Sequence, residues 1–102
     1  MAKKQALTAE KIVRLLETRR KELRQLGVQR IGLFGSFVKG RPGEKSDLDF
    51  LVSMREPTFD QYMDLKFLLE KMFGRRADVV LESALKPALR SIKAEARYAK
   101  GF

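Results

Sequence analysis

Two aspartates one residue apart, Asp47 and Asp49, are the residues whose spacing most directly indicates a catalytic or metal-binding site in this sequence. They open an apolar run, 47–52, that reads as a strand. Because side chains alternate along a strand, both carboxylates face one side, with Cα atoms roughly 6.5 Å apart. Facing carboxylates repel each other unless a cation joins them, and Mg²⁺ bridging to phosphate suits such oxygen ligands.

A glycine and a serine precede the aspartates. Gly35-Ser36 ends an earlier apolar run, 29–34, which also predicts a strand, and ten residues separate Ser36 from Asp47. Glycine lets the backbone approach a ligand closely, and a short helix beginning at Ser36 or Phe37 would direct free N–H groups at a phosphate. Alone, this dipeptide is typical of an ordinary strand-ending turn. The downstream aspartates favour phosphate binding.

Asp78 is the charged residue of a third predicted strand, 77–81. If Val79 faces the core, Asp78 faces the opposite way, and a neighbouring strand about 4.8 Å off would place it beside Asp47 and Asp49. An aspartate at the start of a strand is also commonly a surface or capping residue. Glu82 and Glu44 are the reserve candidates for a third carboxylate.

Three helices are predicted around these strands from their apolar spacing and from capping signals at their ends. They run from Thr8 to Leu26 before Gly27, from the Thr58–Gln61 capping box to about Phe73 before Gly74, and from Pro87 to Tyr98. The order of elements predicts an α/β (α+β) fold with a short mixed β-sheet, helices on one face and the carboxylates on the other. Residues 1–102 are expected to form a single domain.

The composition limits which residue types can act as acid, base or metal ligand, and which kinds of partner the charge suits. The chain has no cysteine and no histidine, so carboxylates must carry any acid, base or metal role. Its formal net charge of +9 suits a polyanion, a phosphate-bearing substrate or an acidic protein surface. Neither a signal region nor a membrane-spanning run is evident, so a cytoplasmic location is expected.

The whole pattern resembles the nucleotidyltransferase superfamily that includes DNA polymerase beta, and specifically its smallest branch, the minimal nucleotidyltransferases. That branch's pattern runs Gly-Ser, three residues, Gly, five residues, Ser-Asp, one residue, Asp. It is matched here by Gly35-Ser36, Gly40, Ser46-Asp47 and Asp49. The resemblance implies ATP as substrate and a site holding two Mg²⁺ ions. It implies nucleotide binding by Gly35, Ser36 and Ser46, and catalytic and metal-binding roles for Asp47, Asp49 and Asp78.

The resemblance also implies a partner. In this branch the partner is commonly a HEPN-domain toxin, and the transferase is an antitoxin that adds AMP to a tyrosine of that toxin. The residues leave two alternatives open: nucleotide transfer to a small molecule or an RNA end, with a homodimer closing the site, and a non-catalytic module that binds a partner or nucleic acid. In the family the 40–45 loop borders the triphosphate, so Lys39 and Arg41 are candidate phosphate contacts, with a surface role as the alternative.

Overall fold

A four-stranded mixed sheet forms the centre of the fold in a computed structural model. The structure describes residues 7–38, 47–84 and 90–102, except the side chains of Ser36 and Arg90. Its strands are β1 (Val28–Phe34), β2 (Leu48–Met54), β3 (Ala77–Leu81) and β4 (Arg97–Tyr98), in the order β3-β2-β1-β4. β1 is antiparallel to both β2 and β4, and β2 is parallel to β3. The predicted short mixed sheet is confirmed, and β4 is an addition that the sequence pattern did not reveal.

Four α-helices accompany the sheet in the described ranges: α1 (Ala9–Thr18), α2 (Arg20–Gln25), α3 (Phe59–Phe73) and α4 (Arg90–Glu95). Short 3-10 helices follow β1 and β3, at Gly35–Phe37 and Glu82–Ala84. No helix in these ranges has the length and apolarity needed to cross a membrane.

The core lies between one face of the sheet and the helices α1 and α3. Alternate residues of β1 and β2 supply the sheet side of this core, and the helices supply the other: Ile31, Leu33, Phe50 and Val52 pack with Ile12, Leu16, Leu65 and Leu69, all without exposed surface. Because side chains alternate, the intervening residues of β1 and β2 face away from α1 and α3. The site described below is on that second face.

α3 begins and ends where the sequence predicts. Thr58 and Gln61 form a reciprocal capping box, in which the Thr58 hydroxyl accepts from the Gln61 N–H and the Gln61 side chain accepts from the Thr58 N–H. At the other end Gly74 adopts a left-handed conformation, φ +64°, and stops the helix.

The prediction of one continuous first helix is wrong, because the chain breaks at Arg19 into α1 and α2. Thr8 caps α1 as predicted, accepting from the Lys11 N–H. The Thr18 hydroxyl donates to the Leu15 carbonyl at 2.7 Å, which is the type of side-chain bond that bends or ends a helix. Leu16 of α1 and Leu23 of α2 are both fully buried, one on each side of the break.

The predicted extension of the last helix to Tyr98 is also wrong. α4 ends at Glu95, and Arg97–Tyr98 forms β4, paired with Leu33 and Gly32 of β1. The Ala99 N–H continues this pairing by donating to the Ile31 carbonyl. Tertiary pairing with an open strand edge here overrides the helical spacing. The predicted helix start at Pro87 lies outside the described residues.

Candidate active site

Asp49 and Asp78 lie side by side on neighbouring strands. They are register partners in the parallel pairing of β2 with β3, so their side chains share the face opposite α1 and α3. Asp47 directly precedes β2, and its carboxylate is exposed, like that of Asp78, whereas Asp49 is half-buried. The predicted juxtaposition of Asp78 with Asp49 is therefore present in the fold.

The turn after β1 abuts the Asp49 carboxylate. Gly35 has a φ of +82°, which disfavours any residue with a Cβ. A methyl group at Gly35 would overlap Oδ2 of Asp49 and lie 3.1 Å from its Cγ. The 3-10 helix begins at Gly35, one residue earlier than the predicted start at Ser36 or Phe37, and the Val38 N–H closes it onto the Gly35 carbonyl. Glycine is thus required here twice, for its backbone angle and for the carboxylate beside it.

The electrostatics of Asp49 reflect this crowding. Partial burial raises the pKa of Asp49 above its ordinary value, and the negative charges of Asp78 and Asp47 raise that pKa further. The charges of Asp78 and Asp47 therefore act on the Asp49 carboxylate. A cation placed among them would relieve the repulsion.

The donor set fits Mg²⁺ in chemistry, since it consists of hard carboxylate oxygens on a half-exposed sheet face. Across residues 7–38, 47–84 and 90–102, however, no three acidic side chains already stand close enough to form a metal cage. The exposed carboxylates of Asp47 and Asp78 would have to turn toward Asp49 to complete one.

Arg75 lies at the same end of the sheet and was not singled out from the sequence. Its guanidinium carbon lies 5.3 Å from the centroid of the Phe37 ring, in the turn that begins at Gly35. Arg75 follows Gly74, so the left-handed end of α3 delivers a positive charge beside the turn. An arginine in a Gly-Arg-Arg turn carries no distinguishing signal in sequence, because such residues are common on surfaces.

Glu82, a reserve candidate for the third carboxylate, is engaged elsewhere. It accepts from Arg30, with Nη2 at 2.9 Å from Oε1, and its Oε1 lies 3.2 Å from Nζ of Lys93. Burial raises the pKa of Glu82, but the hydrogen bonds and charges of Arg30 and Lys93 outweigh it, so the net pKa is lowered. This ion-pair cluster on the second face occupies Glu82, and Asp78 remains the better third carboxylate.

Tyr98 covers the same face of β1. Its ring lies over Gly32, where an added Cβ would come within 2.9 Å of the ring atom Cδ1, and the Arg30 guanidinium lies 5.1 Å from the ring centroid. Burial of the hydroxyl group raises the pKa of Tyr98, helped by the nearby charge of Glu82 and opposed by that of Arg30. This position of Tyr98 supports a role in packing within the fold.

Several predicted contacts lie outside the described residues: Lys39, Gly40, Arg41, Glu44 and Ser46. For Ser36 the backbone is described, and it lies in the turn after β1.

Comparison with known proteins agrees with this arrangement. Residues 13–99 match the family model described as nucleotidyltransferase domain. Protein adenylyltransferase MntA of Thermococcus cleftensis is 42% identical over 85 residues, which cover 81% of this chain and 86% of that protein. A solved structure provisionally described as a minimal nucleotidyltransferase is 33% identical, with a TM-score of 0.77, covering 92% of this chain and 98% of the other.

Two toxin–antitoxin structures share the fold. One, solved with AMP-PNP, has a TM-score of 0.67 at 23% identity and covers 94% of this chain and 75% of that one. The other is the tri-AMPylated HEPN toxin of Shewanella oneidensis in complex with its MNT antitoxin, with a TM-score of 0.61 at 20% identity, covering 88% and 73%. The chain belongs to the nucleotidyltransferase domain family and is a nucleotidyltransferase of the minimal type.

Proposed function

We propose that this protein transfers AMP from ATP to a tyrosine of a HEPN-domain partner and so acts as an antitoxin. The observation that carries the enzymatic part is the in-register pair Asp49 and Asp78, set against the glycine turn at Gly35. A half-buried carboxylate set against a left-handed glycine turn and beside a second carboxylate is costly for folding and useful for catalysis. The fold alone would not require it.

The residues take distinct roles in this proposal. The backbone at Gly35 and Ser36 binds the β- and γ-phosphates, which leave as pyrophosphate, with Ser46 as a further nucleotide contact. Asp47 and Asp49 would hold two Mg²⁺ ions, and Asp78 would act as a further ligand or as the base that takes the tyrosine proton. Mg²⁺, when bound, supplies charge stabilisation to the attacking and leaving oxygens of an in-line displacement. Gly35 keeps the turn close enough for the phosphates and Asp49 to meet.

The choice of acceptor is supported by relatives. The T. cleftensis relative is a protein adenylyltransferase, and the S. oneidensis structure pairs an MNT antitoxin with an AMPylated HEPN toxin. In the proposal residues 1–102 act as one catalytic unit, and a partner chain supplies the acceptor. The partner's tyrosine enters on the exposed side of Asp78.

The test is transfer of label from the α-phosphate of ATP to a HEPN-domain protein in the presence of Mg²⁺, and a protein of that kind encoded next to this one would be the acceptor to use. The double change Asp47→Asn with Asp49→Asn should abolish labelling. The matched control is Asp60→Asn with Asp64→Asn, which removes the same charge from the exposed side of α3 and should leave labelling intact. Labelling that survives the first double change would refute the proposal, and label appearing on RNA 3′ ends in place of protein would redirect it to a different acceptor.

Asp78 has two proposed roles, general base and metal ligand, and one variant distinguishes them. If Asp78 is the base, Asp78→Asn should abolish transfer while the affinity for ATP and its dependence on Mg²⁺ stay near wild-type values. If Asp78 is a ligand, the same change should raise the Mg²⁺ concentration needed for ATP binding. Titration calorimetry at several Mg²⁺ concentrations measures both.

A further inference from the structure

Phe34 is a half-buried aromatic residue that stands apart from the main core. Leu33, its neighbour on β1, is fully buried in the core cluster, whereas Phe34 is absent from the described side chains that form or pack against that cluster. Because alternate strand residues face opposite ways, Phe34 projects to the face of Asp49, its cross-strand partner. An aromatic residue thus lies one strand away from Asp49, on the same face of the sheet.

Phe34, Asp49 and Asp78 form one row across β1, β2 and β3. With strands about 4.8 Å apart, the row spans roughly 10 Å. Phe34 directly precedes Gly35, so its ring is on the turn side of Asp49. Asp78 is on the opposite side.

This order separates the donor from the acceptor. In an in-line displacement the attacking hydroxyl and the leaving pyrophosphate lie on opposite sides of the α-phosphorus. If the turn at Gly35 holds the pyrophosphate, the acceptor approaches from the side of Asp78. Phe34 then lies on the side of the donor's phosphates, away from the acceptor, where the rest of the donor can reach its ring.

We infer that Phe34 is a binding residue for the nucleobase of the donor, which stacks on its ring. The inference rests on the proposed function, because it takes the Gly35 turn as the phosphate site. Every base offers a flat face to an aromatic ring, so Phe34 adds affinity without selecting adenine. No charged group is needed for this contact.

The first test compares MgATP with magnesium tripolyphosphate, which has the phosphates but no base, by calorimetry on the full chain. Phe34→Leu should raise the Kd for MgATP roughly 5- to 100-fold, the loss typical of removing an aromatic ring from under a base, and leave the Kd for tripolyphosphate unchanged. The matched control is Phe67→Leu, the same change at a ring on α3 that is 57% exposed, and it should alter neither Kd.

A second test does not depend on the leucine variant being folded. The sequence has no tryptophan and two tyrosines, so Phe34→Trp introduces a single tryptophan whose fluorescence can be excited apart from the tyrosines. MgATP should quench its fluorescence, tripolyphosphate should not, and Phe67→Trp should respond to neither.

The outcomes separate this inference from the proposed function. Phe34→Leu binding MgATP as tightly as wild type, or losing ATP and tripolyphosphate affinity equally, would overturn the inference alone. A Phe34→Trp signal indifferent to ATP would do the same. A wild-type chain that binds no MgATP would overturn the proposed function and this inference with it.

Discussion

Alanine at Gly35 should damage both the stability and the site, and alanine at Gly74 should damage stability only. Both glycines are left-handed, with φ of +82° and +64°, so each alanine incurs a penalty of roughly 1–2 kcal/mol. Gly74 has no atom within 4 Å of an added Cβ, whereas at Gly35 the new methyl overlaps the Asp49 carboxylate. The two changes therefore share their backbone cost and differ in one contact.

The difference can be given a magnitude. To admit the methyl at Gly35, Asp49 must leave its rotamer, which adds about 0.5–1.5 kcal/mol. A domain of this size loses ~4–8 °C of melting temperature per kcal/mol, so Gly35→Ala should melt below Gly74→Ala by several degrees.

Ligand binding provides the second measurement for this pair. MgATP at a hundred times its Kd should stabilise wild type and Gly74→Ala by about 2.7 kcal/mol each. Gly35→Ala should gain little, because its turn and its displaced carboxylate no longer meet the phosphates. Thermal scans with and without MgATP measure both effects. Equal melting temperatures and equal ATP-induced shifts in the two variants would refute the proposed contact between Gly35 and Asp49.

Three further predictions concern the same sheet face. The pKa of Asp49 is higher in the folded than in the unfolded protein. Protonated Asp49 therefore contributes to the stability of the folded state at low pH, and this contribution is lost as pH rises through the folded-state pKa. Without metal, Asp49→Asn should therefore be more stable than wild type at pH 7 and should lose this advantage toward pH 4. Urea titrations at both pH values test this. The control is Asp64→Asn, at an exposed position of α3, which should not gain stability in this way. Ser36→Ala should weaken the MgATP-induced stabilisation by roughly 0.5–1.5 kcal/mol, or by up to about 3 kcal/mol if the Ser36 hydroxyl donates to a charged phosphate. Asp49→Asn should make the ATP-induced stabilisation independent of Mg²⁺. A wild-type thermal shift that chelator does not change would contradict the proposed site. Gly32→Ala should cost about 1–3 kcal/mol by pushing the Tyr98 ring off β1, and unfolding unchanged from wild type would show that the ring does not need this space.

The strands that carry the carboxylates could be predicted because their signals are local. Asp47 and Asp49 open an apolar run, and Asp78 interrupts another, so alternation alone places them on one face. The register that sets Asp49 beside Asp78 could not be derived, since it depends on how two separate strands meet. From the residues alone, we could expect only that the two strands are neighbours.

The elements that were missed depend on distant contacts. Tyr98 has helical spacing with the residues before it, but pairing with β1 and packing over Gly32 decide its conformation. Arg75 gains its place beside the turn only because α3 ends at Gly74 and its guanidinium meets Phe37. No spacing of residues in the sequence predicts either of these two contacts.

The pairing of β4 with β1 has a consequence for what partial unfolding exposes. β4 consists of Arg97–Tyr98 and pairs with only two residues of β1, Gly32 and Leu33. So short an element can detach while the core stays folded. When it does, β1 presents unpaired backbone groups that can template association with another chain. A protein that has lost nothing but this two-residue pairing therefore already displays a new open strand edge beside an intact core.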